Sequence, residues 1–184
     1  LVQQLLKSTS FDSIVALVRR SIFSDHPKLT EKIFDFKNLA SYENLEFADH
    51  VFCCLGTTIK SAGSKEAFKF VDYELPLRFA KWSENSGVKS FSIVTALGAN
   101  SESNIFYNHV KGRVEEEIQQ LQISKIQIFQ PSLIMGQRKE FRFGELIGKS
   151  IMTIFNPIMI GILGKYRGIH AKIIAEGMIH HLAN

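Results

Sequence analysis

The residues best suited to chemistry are a tyrosine and a lysine four positions apart, Tyr107 and Lys111. Hydrophobic residues around them recur every three or four positions, so the pair is expected on one face of a helix. An ammonium group within ~4–6 Å of a phenol favours the phenolate and lowers the pKa of the tyrosine, which prepares it for general acid–base work. Thr95, twelve residues upstream, ends an apolar run and offers a hydroxyl to the same site.

A second interpretation of the pair needs no chemistry. Lys111 can form an ion pair with Glu115 on a solvated helix face, and Tyr107 can be a half-buried packing residue. The spacing Tyr-x-x-x-Lys also occurs by chance in many helices. The choice depends on the elements that position the two side chains.

Composition indicates an ordinary globular chain. Its 184 residues, 45% of them hydrophobic, suit a single domain over 1–184 with a full core. The net charge of +4 comes from 22 basic and 18 acidic residues scattered along the chain. Without a basic block, zinc-ligand spacing or a recognition helix, we predict neither nucleic-acid binding nor a metal site.

Three features bear on location and membrane contact. Cys53 and Cys54 are neighbours on a predicted strand, so they point to opposite faces without bridging, and as small buried residues they fit a reducing compartment. Residues 1–7 resemble half an amphipathic helix rather than a signal peptide. The longest apolar run, 151–163, is broken by an asparagine and a proline and is too short to span a bilayer. We expect a cytoplasmic protein with no integral membrane segment, in which this run forms a lid, a pocket wall or a self-association surface.

Helices and strands are predicted to alternate along the chain. The predicted strands are 13–18, 32–36, 50–56, 88–97 and 125–129, and the predicted helices are 1–9, 64–86, 104–122 and one after His170. Ser64 and Asp72 are expected to cap the two parts of helix 64–86. Unbroken apolar strands without hairpin signals favour an α/β fold with a doubly wound parallel sheet and helices on both faces.

In such a sheet, ligands bind beyond the carboxyl ends of the strands. The residues that follow the predicted strands are therefore the candidate cofactor-binding residues. They are Arg19 and Arg20; Asp35 and Phe36; Leu55, Gly56 and Thr57; and Pro131, Ser132, Leu133 and Ile134, while Thr95 ends the fourth strand.

The glycine-rich turn of a dinucleotide-binding sheet is expected upstream of Leu1. Such a sheet opens with a strand, a glycine-rich turn and a helix, because the pyrophosphate needs close backbone approach at a helix N-terminus. Residues 1–6 already resemble that helix. The strand 13–18 would then be the second of the fold, and its end would meet the adenosine ribose. Arg19 and Arg20 stand there with no acidic residue before Asp25, which favours NADP(H) over NAD(H), unless both are mere surface charges.

Seven short motifs carry a resemblance that covers essentially the whole chain. Two of them are specific, Cys-Cys-Leu-Gly-Thr-Thr at 53–58 and Tyr-x-x-x-Lys-Gly at 107–112; the other five lie at 15–20, 96–99, 131–133, 140–145 and 169–171. In these motifs the chain resembles the atypical short-chain dehydrogenase/reductases grouped around the HIV Tat-interacting protein and its bacterial relatives. The resemblance implies an extended-type Rossmann domain.

The resemblance also implies roles for three residues. Tyr107 would exchange a proton with the substrate oxygen, Lys111 would lower the pKa of Tyr107 and hold the nicotinamide ribose, and Thr95 would orient the carbonyl. Thr95 replaces the usual serine, which keeps the hydroxyl and adds a methyl. Gln130 stands where relatives often have arginine, and Gly168 where they often have proline.

Hydride transfer between NADP(H) and a carbonyl or alcohol of a small, apolar substrate is the leading hypothesis, with 137–168 as a lid on the substrate side. Two alternatives stay open. One is a non-catalytic NADPH-binding regulatory or scaffold protein; under any of these hypotheses, a homodimer or a protein partner stays open. The other is an epimerase or dehydratase that retains its cofactor.

Overall fold

The computed structural model describes residues 1–38, 42, 45–135, 168–180 and 182. Its helices are α1 (Val2–Lys7), α2 (Ile59–Ala62), α3 (Lys65–Lys69), α4 (Leu75–Asn85), α5 (Phe106–Gln119) and α6 (Ala171–His180). Its strands are β1 (Ile14–Val18), β2 (Leu29–Ile33), β3 (His50–Cys53), β4 (Ser90–Val94), β5 (Lys125–Phe129), β6 (Ile134–Met135) and β7 (Ile169–His170).

The described strands form three sheets, and all four strand pairings in them are parallel. β1 pairs with β2, β4 lies between β3 and β5, and β6 pairs with β7. Because β3, β4 and β5 run in the same direction, their carboxyl ends lie side by side along the same end of the sheet. The predicted α/β class with parallel strands and intervening helices is confirmed.

The central strand β4 is buried on both faces of the sheet. Ser90, Phe91, Ser92 and Ile93 are all buried. Its two serines find partners on the neighbouring strands, since Ser90 Oγ lies 2.8 Å from His50 Nδ1 and Ser92 Oγ donates to Gln127 Oε1 at 2.7 Å. Buried hydroxyls that are hydrogen-bonded in this way carry little penalty.

The second strand lies earlier than the predicted 32–36. It ends at Ile33, because Asp35 Oδ1 accepts a hydrogen bond from Lys37 N at 3.0 Å and turns the chain. Phe34 and Phe36 then pack edge-on at 5.0 Å, and Phe34 also contacts Tyr42 and Phe79. Phe34 and Phe36, which the hydrophobic pattern placed in the second strand, therefore lie beyond it and pack in an aromatic cluster.

The predicted helix 64–86 is one continuous helical stretch over 65–85, with a π-helical segment inside it. Ser64 caps α3 as predicted, with its Oγ accepting from Ala67 N at 3.1 Å. A π-helical segment, Phe70–Glu74, joins α3 to α4. The prediction that Asp72 caps a second helix is wrong, because Asp72 lies inside this continuous stretch and is 1% exposed. Pro76 is the second residue of α4 and follows closely on the π-helical segment.

The two cysteines differ in exposure. Cys53 is buried at the end of β3, and this burial raises the pKa of its thiol to about 12. Cys54 follows the strand and is exposed, so the expectation of burial is correct only for Cys53.

Most of the predicted lid 137–168, the apolar run 151–163 and the motif at 140–145 lie outside the described residues. Within the described part of the chain, no helix has the length and apolar character needed to cross a bilayer.

Candidate functional site

Thr95 is held at the carboxyl end of the central ladder. Its N–H donates to the carbonyl oxygen of Phe129 at 2.8 Å, and its Oγ1 lies 3.4 Å from the same oxygen. The residue is only 6% exposed. Thr95 therefore extends the pairing of β4 with β5 by one residue, which places its hydroxyl at the edge where ligands bind in parallel sheets.

The loop after Thr95 packs directly on the backbone of α5. Asn100 N donates to the carbonyl oxygen of Asn108 at 3.0 Å, and His109 Nδ1 lies 2.5 Å from the carbonyl oxygen of Ser101. A Cβ built on Gly112 would lie 2.1 Å from Ser101 N, so only glycine allows this approach. The contact fixes the distance between the end of β4 and the helix that carries Tyr107 and Lys111.

Both residues of the Tyr-x-x-x-Lys pair lie on α5, as the spacing predicts. Tyr107 is half-buried, and its ring lies 5.4 Å from that of Phe68, centroid to centroid. Lys111 is 4% exposed. A lysine this deeply buried needs a specific partner, since an isolated buried ammonium is strongly disfavoured.

That partner is Asp72 of the π-helical segment, with Lys111 Nζ 2.7 Å from Asp72 Oδ1. The interpretation in which Lys111 pairs with Glu115 on a solvated face is wrong. Glu115 is itself buried, and its Oε2 accepts a hydrogen bond from Gln130 Nε2 at 2.7 Å. The two side chains share a helix face but bind different partners.

The turn after β3 lies over this ion pair. Thr57 N donates to Asp72 Oδ2 at 2.9 Å. Gly56 is exposed, and a Cβ built on it would lie 3.4 Å from Asp72 Oδ1 and 3.9 Å from Lys111 Nζ. The structure therefore brings two predicted cofactor-binding residues, Gly56 and Thr57, to the predicted catalytic lysine, and the residue beside the ammonium is a glycine without a side chain.

Asp72 is the residue of this site that the sequence patterns did not identify. A signal was present, because Asp72 follows Phe68 by four residues on the buried face of a helix, where a carboxylate is unexpected. Its negative charge also offsets that of Lys111.

Arg19 and Arg20 lie exposed just beyond β1. The turn that follows them is organised by Glu31 of β2, whose carboxylate accepts hydrogen bonds from Ser21 Oγ, from Ile22 N at 2.8 Å and from Phe23 N at 3.2 Å. The hydrogen bond from Ser21, followed by that from Ile22, holds the pKa of Glu31 below its ordinary value. Sequence spacing gave no sign of this acid, since it reaches the turn across the β1–β2 ladder.

The remaining predicted residues lie just after β2, β3 and β5. Asp35 is exposed at the end of β2, and Phe36 packs beside Phe34. Pro131 is buried, and its carbonyl oxygen accepts from Leu97 N at 2.9 Å. The other three of this group lie in the half-buried segment that enters β6: Ser132, Leu133 and Ile134. Leu55 is half-buried at the start of the turn over the ion pair.

Parallel strands with intervening helices, and a Tyr-x-x-x-Lys helix after the central strand, define a Rossmann-type fold of the short-chain dehydrogenase/reductase class. Solved structures agree. MoeE5 in complex with UDP-glucuronic acid and NAD superposes with a TM-score of 0.62 at 17% identity, over 79% of this chain and 55% of that chain. The dTDP-glucose 4,6-dehydratase DesIV double mutant from Streptomyces venezuelae, with NAD and DAU bound, gives 0.63 at 13% identity, over 82% and 57%. At these identities the likeness shows the fold alone.

A sequence profile of the HIM1 family matches residues 3–159, and the chain belongs to this family. Protein HTATIP2 of Rattus norvegicus is 29% identical over 153 residues, which cover 81% of this chain and 63% of that protein. Protein FMP52-1, mitochondrial, of Scheffersomyces stipitis is 38% identical over 117 residues, 64% of this chain and 47% of that protein. The chain thus spans less than two thirds of either relative. The resemblance to the Tat-interacting-protein group is confirmed.

The comparisons contradict the expected cytoplasmic location. Relatives from Scheffersomyces stipitis, Debaryomyces hansenii and Emericella nidulans are all named as mitochondrial proteins. The expectation rested on two cysteines and the absence of a signal-peptide pattern, and neither feature distinguishes the cytosol from the mitochondrial matrix.

Proposed function

We propose that the chain is the nucleotide-binding part of a nicotinamide-dependent oxidoreductase that transfers a hydride to or from a carbonyl or alcohol, with NADP(H) preferred over NAD(H). The observation that carries the proposal is the Lys111–Asp72 pair, buried below an exposed glycine on the helix of Tyr107. An ammonium that lies beside an exposed glycine is suited to donate hydrogen bonds to the hydroxyls of a nucleotide sugar.

The cofactor, when bound, supplies or accepts the hydride. In the reducing direction Tyr107 gives its hydroxyl proton to the carbonyl oxygen as that oxygen gains the electron pair of the broken C=O π bond. Thr95 donates a hydrogen bond to the same oxygen and orients the carbonyl. Lys111 would hold the ribose of the cofactor through its N–H donors. In the oxidising direction the hydroxyl of the substrate gives its proton to the phenolate of Tyr107.

The preference for NADP(H) rests on the end of β1. Arg19 and Arg20 are exposed there and suit a 2′-phosphate. An acidic residue that grips the ribose 2′-hydroxyl would favour NAD(H) instead. Glu31, the acid next to this turn, is already occupied by the hydrogen bonds from Ser21, Ile22 and Phe23.

The proposal is tested by calorimetry with NADPH and NADH on protein expressed from its complete open reading frame, followed by a panel of aldehydes and ketones monitored at the NADPH absorbance. We expect tighter binding of NADPH, slow NADPH consumption with an apolar carbonyl, and a loss of about 10²-fold or more in rate for Tyr107→Phe. Tyr73→Phe is the matched control, since Tyr73 donates to Glu117 on the outer side of α5 at 2.5 Å.

Other outcomes separate the alternatives. Binding of neither nucleotide overturns the proposal, and tighter binding of NADH overturns only the arginine argument. Tight binding without turnover, unaffected by Tyr107→Phe, favours a regulator. Conversion of a substrate without net nucleotide consumption favours an epimerase or dehydratase.

We also propose a mitochondrial location, which the names of the fungal relatives support. The test is immunofluorescence of the protein expressed from its complete open reading frame, compared with a matrix marker. Diffuse cytosolic staining would refute it.

A further inference from the structure

Asp72 joins the two halves of the candidate site. One carboxylate oxygen contacts Lys111 Nζ at 2.7 Å, and the other accepts from Thr57 N at 2.9 Å. The Asp72 side chain is 1% exposed and that of Lys111 is 5% exposed. A single buried carboxylate therefore links the turn after β3 to the helix of Tyr107.

We propose that Asp72 is a positioning residue, which directs the Lys111 ammonium towards the ribose of a nicotinamide cofactor. Through Thr57 it also holds the turn 55–57 at a fixed position relative to that ammonium. The inference rests on the proposed function and adds to it a residue and a role. An ammonium has three N–H donors on a rotatable bond. Fixing one of them on Asp72 directs the others away from the carboxylate, and the residue beside the ammonium is a glycine without a side chain.

Two observations separate this role from general stabilisation. First, Asp72 lies in a π-helical segment, and π-helical turns inside helices recur at functional sites. Second, the chain holds an ion pair of the same 2.7 Å length, Lys89–Asp49, whose side chains are 69% and 51% exposed. Exposed pairs contribute little, whereas a buried pair persists only where its geometry is specific. Lys89–Asp49 is therefore the natural control.

The first experiment compares two ligands on Asp72→Asn. The asparagine oxygen can still accept from Thr57 N, but its NH₂ group faces the ammonium donor to donor, so Lys111 loses its direction. NADPH contains the nicotinamide ribose, and adenosine 2′,5′-bisphosphate does not. We expect D72N to weaken NADPH binding about tenfold or more and to change binding of the bisphosphate less than about twofold. D49N should change neither affinity.

If D72N lowers the affinity for both ligands equally, Asp72 only stabilises the fold, and this result overturns the proposal. An unchanged NADPH affinity overturns it too. If the wild-type protein binds NADPH poorly, the proposed function itself fails and this inference falls with it. Poor binding by the wild type is a different result from a D72N variant that binds as the wild type does.

A second background keeps the test valid if D72N does not fold. In Lys111→Gln no buried ammonium remains, so D72N/K111Q leaves no unpaired buried charge. We expect K111Q and D72N/K111Q to bind NADPH equally, within about twofold, because Asp72 acts through Lys111. A further loss of tenfold on adding D72N to K111Q would overturn the proposal.

Discussion

The Cα of Gly112 faces the backbone of Asn100 so closely that a Cβ on Gly112 would lie 2.1 Å from the Asn100 carbonyl carbon. Real Cβ atoms do not approach backbone this closely. The glycine of Tyr-x-x-x-Lys-Gly is therefore a packing requirement: it lets the loop after β4 touch α5, and this contact sets the spacing between Thr95 and the pair Tyr107 and Lys111.

Gly112→Ala is expected to lower the free energy of unfolding by about 3 kcal/mol or more, because neither backbone can move without displacing the loop or the helix. Gly177→Ala on α6 is the matched control. A Cβ there would lie 3.5 Å from the Phe129 ring, an ordinary contact, so alanine should raise stability by up to ~1 kcal/mol through helix propensity. Urea denaturation measures both. A Gly112→Ala variant as stable as the wild type would contradict the close packing.

Gly56→Ala should separate binding from folding. The added methyl would make ordinary contacts, 3.4 Å from Asp72 Oδ1 and 3.9 Å from Lys111 Nζ, so we expect stability within about 0.5 kcal/mol of the wild type. The methyl also covers the ammonium, and NADPH affinity should fall about tenfold or more. Calorimetry measures the affinity and thermal unfolding the stability. Unchanged affinity would show that the space above the pair is not used by the nucleotide.

Local sequence patterns predicted the elements that position the site. Tyr107 and Lys111 share a helix because their spacing matches its period, and β5 lies at the predicted 125–129 because this short segment is rich in isoleucine and phenylalanine, which favour strands. Chain order then placed the candidate residues at the carboxyl ends of parallel strands. These features depend on residues close in sequence, so they can be predicted without the tertiary structure.

Long-range contacts explain what the patterns missed. Asp72 and Lys111 are 39 residues apart, and nothing local to either predicts their ion pair. Helical periodicity also gives no sign of the π-helical segment that carries Asp72. Glu31 likewise reaches the turn after Arg20 only because β2 pairs with β1. In each case the decisive partner comes from another element.

The turn after Arg19 and Arg20 should respond to acid. The hydrogen bonds to Glu31 lower its folded pKa below the ordinary 4.5, so they are present above that pH and are lost as the pH falls through the lower folded value. We expect the amide ¹⁵N–¹H signals of Ile22 and Phe23 to titrate together, with a midpoint below 4.5. In Glu31→Gln the same signals should stay flat over this range. A midpoint at or above 4.5 would show that the carboxylate does not hold the turn.

Gln130 occupies a position where arginine should be the better residue. The partner of its amide, Glu115, is 9% exposed, and within the described part of the chain the Glu115 Oε1 atom has no hydrogen-bond partner. A guanidinium can bind both oxygens of a carboxylate, so Gln130→Arg should raise the free energy of unfolding by about 1–2 kcal/mol. Gln130→Met removes the existing donor and should lower it by about 1–3 kcal/mol. Urea denaturation in wild-type and Glu115→Gln backgrounds checks the assignment, because the gain from arginine must disappear when residue 115 carries no charge. A gain that persists in the Glu115→Gln background would show that the arginine acts elsewhere.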